Sequence, residues 1–234
     1  MGIVVRGGVA ADGMAGMAMA GMPAAGWSVW GAATFTAIWA VMMAAMMLPA
    51  VAPMLVIFAS ANARGKQDAA VPTWIFGAGY ILTWAAVGLL VYVLVQIGSD
   101  TATRLAPAER MKWAPIALGA TLVVAGLYQF TPMKRFCLRH CRSPFAFVVQ
   151  HWRDGRVGAL RMGLQHGAYC LGCCWALFAV LVAAGVMSLA WMLLLTLVVF
   201  VEKTLPQARL TSVVVGFALA AVGVAVAAGA GSMF

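Results

Sequence analysis

Long apolar runs separated by short polar interruptions organise this chain. The first run opens at Trp27 and Trp30, reaches about Leu48 and stays apolar to Ala59. Further runs cover 72–97, 113–130, 164–186, 189–201 and 210–228. Several match the roughly 20 residues that a helix needs to cross a bilayer. The pattern predicts an all-α membrane protein, a bundle of about six transmembrane helices. Pro72 suits the first turn of the second helix, whereas Pro49 and Pro53 are expected to kink or end the first. The fifth run is short for a crossing, so it is tilted, partly re-entrant or longer than its apolar core. A tight turn over 185–188 leads into it.

The polar interruptions differ in kind. Residues 60–71, with Arg64, Lys66 and Asp68, and residues 98–112 read as ordinary loops. The segment 131–162 reads as a basic Cys/His-containing loop between helices three and four. Two regions follow: a methionine-rich tail over 1–26 and a transmembrane domain over 27–231. The first residues lack a sustained apolar core, so no cleaved signal peptide is expected.

Composition sharpens this picture. Hydrophobic residues make up 65% of the chain and charged ones 9%, too apolar for a soluble fold of this length. The net charge of +9 is read as topology, because cytoplasmic loops retain Lys and Arg, and not as a nucleic-acid surface. With 60–71, 129–163 and 202–209 inside, eleven of the fifteen Lys and Arg residues are cytoplasmic. A multi-pass protein of a bacterial inner membrane is expected, with both termini outside and the Cys/His loop on the cytoplasmic face. This orientation brings the end of helix one, the end of helix three, the start of helix four and Glu202 to one membrane face.

Soft ligands are concentrated at that face. All five cysteines and all three histidines lie between Thr131 and Trp175. On a continuous helix, Cys137, His140 and Cys141 share one face at offsets of 0, 3 and 4. Nearby Lys134, Arg135, Arg139 and Arg142 are expected to favour thiolate. His166, Cys170, Cys173 and Cys174, at 0, 4, 7 and 8, form a stripe of about 100°. Gly163, Gly167 and Gly172 allow a neighbouring helix to approach it. Met42, Met43, Met46 and Met47 end the apolar core of helix one, and Met14, Met17, Met19 and Met22 punctuate the tail. Thioether and thiolate donors suit Cu(I), with zinc and iron as alternative ions. Buried cysteine is also a common small packing residue, but seven Cys and His positions on two stripes exceed what packing needs. His151 is assigned an interfacial role, and Glu202 is paired with Lys203. Ferredoxin spacings, phosphate loops and nucleophile elbows are missing from the sequence.

The motifs MMAAMMLP at 42–49, YQFTPMKRFCLRHCRSP at 128–144 and GALRMGLQHGAYCLGCCWAL at 158–177, with the Glu202-Lys203 pair, resemble a bacterial family of metal-binding integral membrane proteins without an assigned reaction. The resemblance covers roughly 27–205. It implies membrane insertion and metal binding but no chemistry.

The function expected is binding or handling of copper(I) in the membrane, with a copper-donor, acceptor or enzyme partner. A copper- or iron-dependent membrane oxidoreductase, or its subunit, is the alternative, with Tyr128, Phe130, Phe136, Trp152, Tyr169 and Trp175 forming either an apolar pocket or an interfacial aromatic belt. A zinc-stabilised membrane scaffold is the third reading.

Overall fold

The computed structural model describes residues 27–64, 70–184, 189–205 and 207–232. The methionine-rich tail and the turn over 185–188 lie outside the described residues. Those described form eight helices: α1 (Val29–Arg64), α2 (Ala70–Arg104), α3 (Pro107–Tyr128), α4 (Pro132–Arg142), α5 (Pro144–His151), α6 (Gly155–Ala184), α7 (Leu189–Thr204) and α8 (Ala208–Ser232).

Five of them, α1, α2, α3, α6 and α8, are long and apolar enough to cross a membrane. The sixth expected crossing is α7, whose 16 residues extend only about 24 Å at 1.5 Å per residue, against a hydrocarbon core of about 30 Å. By contrast α1, with 36 residues, reaches about 54 Å. α2 is nearly as long. Both outrun α3, which has 22 residues.

α1 continues through Pro49 and Pro53, so the prolines do not end it. A proline inside a helix removes one backbone hydrogen bond and crowds the preceding turn, at a cost of about 3 kcal/mol. Here Val51, Met54 and Phe58 are buried beyond the prolines, and their packing holds the helix together. The segment expected as a loop is mostly helical. Thr131 caps α4, accepting from the Lys134 N–H at 3.3 Å and donating to the Tyr128 carbonyl at 2.8 Å. Pro132 and Pro144 occupy the first turns of α4 and α5, where a missing N–H costs nothing. Both Thr131-Pro132 and Ser143-Pro144 are helix-start signals present in the sequence. α6 begins at Gly155, nine residues before the apolar run, because its first turns pack on α2 and not against lipid-like surroundings.

Close backbone approach ties α6 to α2. A Cβ at Gly163 would collide with the Phe76 carbonyl oxygen, and one at Gly79 would lie 2.6 Å from that of Leu160. α3 and α8 make the same kind of seam, Gly119 meeting Gly223 and Gly126 meeting Gly216. Such small-residue seams replace the hydrophobic effect where helices associate in an apolar medium. Gly163→Ala is therefore expected to force the helices apart and destabilise by about 1–3 kcal/mol, read as a lowered midpoint of thermal unfolding in detergent. Gly77→Ala, with open space around it, is the matched control.

Candidate metal centre

Five helices deliver side chains to one buried locus: α1, α2, α4, α6 and α7. It lies in the largest apolar core, which contains Met43, Met46, Met47, Tyr80, Cys137, Cys170, Cys173 and Cys174. The stripe expected on α6 is real, since His166, Cys170, Cys173 and Cys174 are all at most 2% exposed. Cys170 is its hub. Its sulfur lies 3.0 Å from the Tyr80 hydroxyl and accepts from the Lys203 ammonium at 2.9 Å. The Cys173 and Cys174 thiols both donate to the Cys170 carbonyl, at 3.0 and 2.7 Å. Lys203 Nζ also lies 3.9 Å from the Met47 sulfur.

α4 completes the group from the side. It is a separate helix and not a continuation of α3, so it turns its own face inward. Cys141 Sγ lies 3.9 Å from Cys173 Sγ, and its thiol also interacts with that of Cys170. One turn earlier Cys137 is buried, its sulfur seated over the bare Cα of Gly172, where a Cβ would come within 2.6 Å. Of the three glycines expected to allow close approach, Gly163 therefore admits backbone, Gly167 admits the Thr83 side chain and Gly172 admits a thiol.

The histidines take other places. His140 stacks on Tyr169 at 4.4 Å between ring centroids, with its Nδ1 2.9 Å from the Phe136 carbonyl oxygen. His151 stacks on Phe147 at 4.7 Å and faces His140 at 6.3 Å. His166 is enclosed by Phe76, Tyr80 and Phe147, and its Nδ1 is buried without a hydrogen-bond partner. Met43, Met46 and Met47 are buried and Met42 half-buried. Met47 reaches the thiols' neighbourhood through Lys203, and Met43 and Met46 belong to the same packed cluster. Among the described residues no three His, Cys, Asp or Glu side chains already surround one point as a metal site. Tyr80 and Lys203 stand against Cys170 where further donors would gather.

Electrostatics depart from expectation in two respects. The arginines of α4 do not depress the thiols beside them. Burial, then the neighbouring Cys173, pushes the Cys137 thiol up. Hydrogen bonding to Cys170 and Cys173, then burial, pushes Cys141 up. Arg135 and Arg139 are exposed on the opposite face of α4, where water screens them. Secondly, Glu202 does not pair with Lys203. Its carboxylate takes the buried Lys134 ammonium, 2.8 Å from both oxygens, and accepts from Ser212 at 2.9 Å. Adjacent residues on a helix point about 100° apart and do not face each other, so each charge found a partner on another element. Lys134 also donates to Gln129.

Tyr80, Lys203 and Lys134 were absent from the expected site. The signal that marks the two lysines is their chemistry: an ionisable group in a strongly apolar chain is costly unless paired. Tyr80 has no such mark. Of the aromatic residues expected at a pocket or an interfacial belt, Phe136, Trp152 and Trp175 are exposed.

A family model described as PpoB2, copper chaperone, matches residues 36–226, a range that includes every residue named at this locus. No curated protein and no solved structure matches the chain.

Proposed function

Because the chain belongs to this copper chaperone family, we propose that it is an integral membrane protein that binds Cu(I) at Cys141, Cys170 and Cys173 and passes it to a partner. The observation that carries the reading is the meeting of those thiols, from two helices, beside the Met47 thioether and the Lys203 ammonium. Soft sulfur donors select Cu(I). A metal–sulfur bond is about 2.3 Å, so one ion bridges thiolates up to about 4.6 Å apart, and Cys141 and Cys173 stand 3.9 Å apart. Three thiolates around one Cu(I) carry two net negative charges, of which Lys203 offsets one in a place where unbalanced charge is costly. Tyr80 orients Cys170 from the other side.

On this reading Cys174 and Met47 are the adjoining donors through which the ion enters or leaves. Met42, Met43 and Met46 continue that route along α1. Cys137 and His166 take outer positions one turn from the nearest bound thiol, and His140, next to Cys141, turns aside to Tyr169. Cys137→Ser is expected to leave copper stoichiometry intact, whereas Cys141→Ser lowers affinity for Cu(I) by 10-fold or more, on the order of the loss that follows removal even of groups that merely orient a ligand. Competition with a Cu(I) chelator measures both.

The domain organisation belongs to the same proposal: a tail over 1–26, a transmembrane domain over 27–231 and the basic segment 131–162 on the cytoplasmic side. With α7 as a short sixth crossing, accommodated by local thinning of the bilayer, both termini lie outside in a bacterial inner membrane. The decisive experiment is elemental analysis with copper K-edge absorption on the detergent-purified protein. Copper with sulfur neighbours supports the proposal. Tightly held zinc at one equivalent would replace it with a scaffold, and no metal under reducing, copper-replete conditions would end it.

A further inference from the structure

A second concave site lies on the other side of α4. It is a cavity of about 520 Å³ whose wall includes Lys134, Arg135, Arg139, Arg142 and Arg209, with Phe130 and Val213 as apolar flank. Its size falls in the range of small-molecule sites, about 300–1,000 Å³. Among the described residues no acidic side chain lines it. The nearest carboxylate, Glu202, is held beneath by Lys134 and Ser212. Arg142 is anchored by its bond to the Leu205 carbonyl. Among the described residues no carboxylate pairs with Arg135, Arg139 or Arg209. Three guanidinium groups from two helices therefore face one hollow without counter-charge.

The position of the hollow is as informative as its charge. Phe130 follows the end of the apolar helix Pro107–Tyr128, and Arg209 begins the apolar stretch Arg209–Gly229. Both mark the height at which an apolar helix gives way to polar surroundings. Phe130, which lines the hollow, meets Phe217 edge to face at 5.1 Å between ring centroids, so that flank of the hollow is apolar. Phosphates of a bilayer occupy that height, and basic pockets between membrane helices suit anionic headgroups. Arginine meets phosphate oxygens through paired, parallel hydrogen bonds.

We propose that this cavity binds a phosphate-bearing anion at the height of the lipid headgroups. The headgroup position rests on the membrane reading above; the phosphate chemistry rests on the arginines alone. The probes are phosphatidylglycerol, phosphatidylcholine and inorganic phosphate, added to the full-length protein in mild detergent and read by native mass spectrometry and titration. One saturable phosphatidylglycerol per chain is expected, preferred over phosphatidylcholine. Binding should weaken roughly 100-fold in R135Q/R139Q/R209Q, at about fivefold per charge removed. The corresponding triple Arg→Lys variant keeps the charge without the fork and should fall between. Copper stoichiometry should be unchanged in both.

Inorganic phosphate binding with equal or greater affinity identifies a free anion as the ligand and supports the site. Absence of saturable binding of every phosphate probe to the wild type overturns it, whatever the variants do. So does retention of full affinity in the triple Gln variant, or binding of a polyglutamate peptide in preference to any phosphate. Failure of the membrane reading registers separately, as release of the protein from membranes by alkaline carbonate.

Discussion

Replacing Cys141, Cys170 and Cys173 together with serine is expected to abolish stoichiometric Cu(I) binding. Serine keeps the size of cysteine and replaces a soft sulfur donor with a hard oxygen, which Cu(I) disfavours. The fold should survive, because serine is close to cysteine in size and a hydroxyl can keep the hydrogen bonds with Tyr80, Lys203 and the Cys170 carbonyl. In metal analysis of the purified variant, copper should fall from near one equivalent to background. Thermal unfolding without copper should shift little, while the wild type alone should gain stability on loading, by mass action. Unchanged stoichiometry would remove the sulfur cluster from the mechanism altogether. Loss of the loading-dependent shift with retained copper would point to a surface site instead.

Lys134→Met is expected to be the most damaging single change to the fold. Lys134 is 1% exposed and Glu202 2%, so the substitution leaves a carboxylate buried without its cation. Breaking a buried pair in this way costs about 3–5 kcal/mol. Methionine fills nearly the same volume, which separates the charge effect from a cavity effect. The double change Lys134→Met with Glu202→Gln should recover most of the loss, since the amide is neutral and can still bond Ser212. The lowered midpoint of unfolding in the single variant, and its recovery in the double, are the readouts. If the single variant unfolds at the wild-type temperature, the pair contributes no net stability. Equal losses in both variants would mean that packing, and not charge, sets the cost.

The tie between those two predictions is α4. It carries Lys134 and Cys137 inward, Cys141 onto the thiol cluster, and Arg135 and Arg139 outward to the second cavity. The buried ion pair fixes how α4 sits against α7 and α8, and hence where Cys141 lies relative to Cys173.

Much of this was legible in the chain itself. The apolar runs specify helices because a backbone in an apolar medium must satisfy its own hydrogen bonds, and five of the expected crossings are present at that length. The stripe of His166, Cys170, Cys173 and Cys174 followed from helical periodicity alone, and all four are buried together. The helical character of 131–151 was also encoded, in Thr131-Pro132 and Ser143-Pro144, but that signal is local and was masked by the density of charge around it.

What the sequence determined by itself is thus each helix and the residues that share its face, since both depend on spacing within a few turns. Tertiary structure alone decided which faces meet. The rotation of α4 about its axis sends His140 to Tyr169 and Cys141 to Cys173, although the two residues are neighbours. It also gave Glu202 to Lys134 and Lys203 to Cys170, and brought Tyr80 across 90 positions to the same sulfur. Such choices come from packing among several helices at once, through seams such as Gly163 against Phe76. No short-range pattern records them, because the azimuth of one helix acquires meaning only when its neighbours are in place.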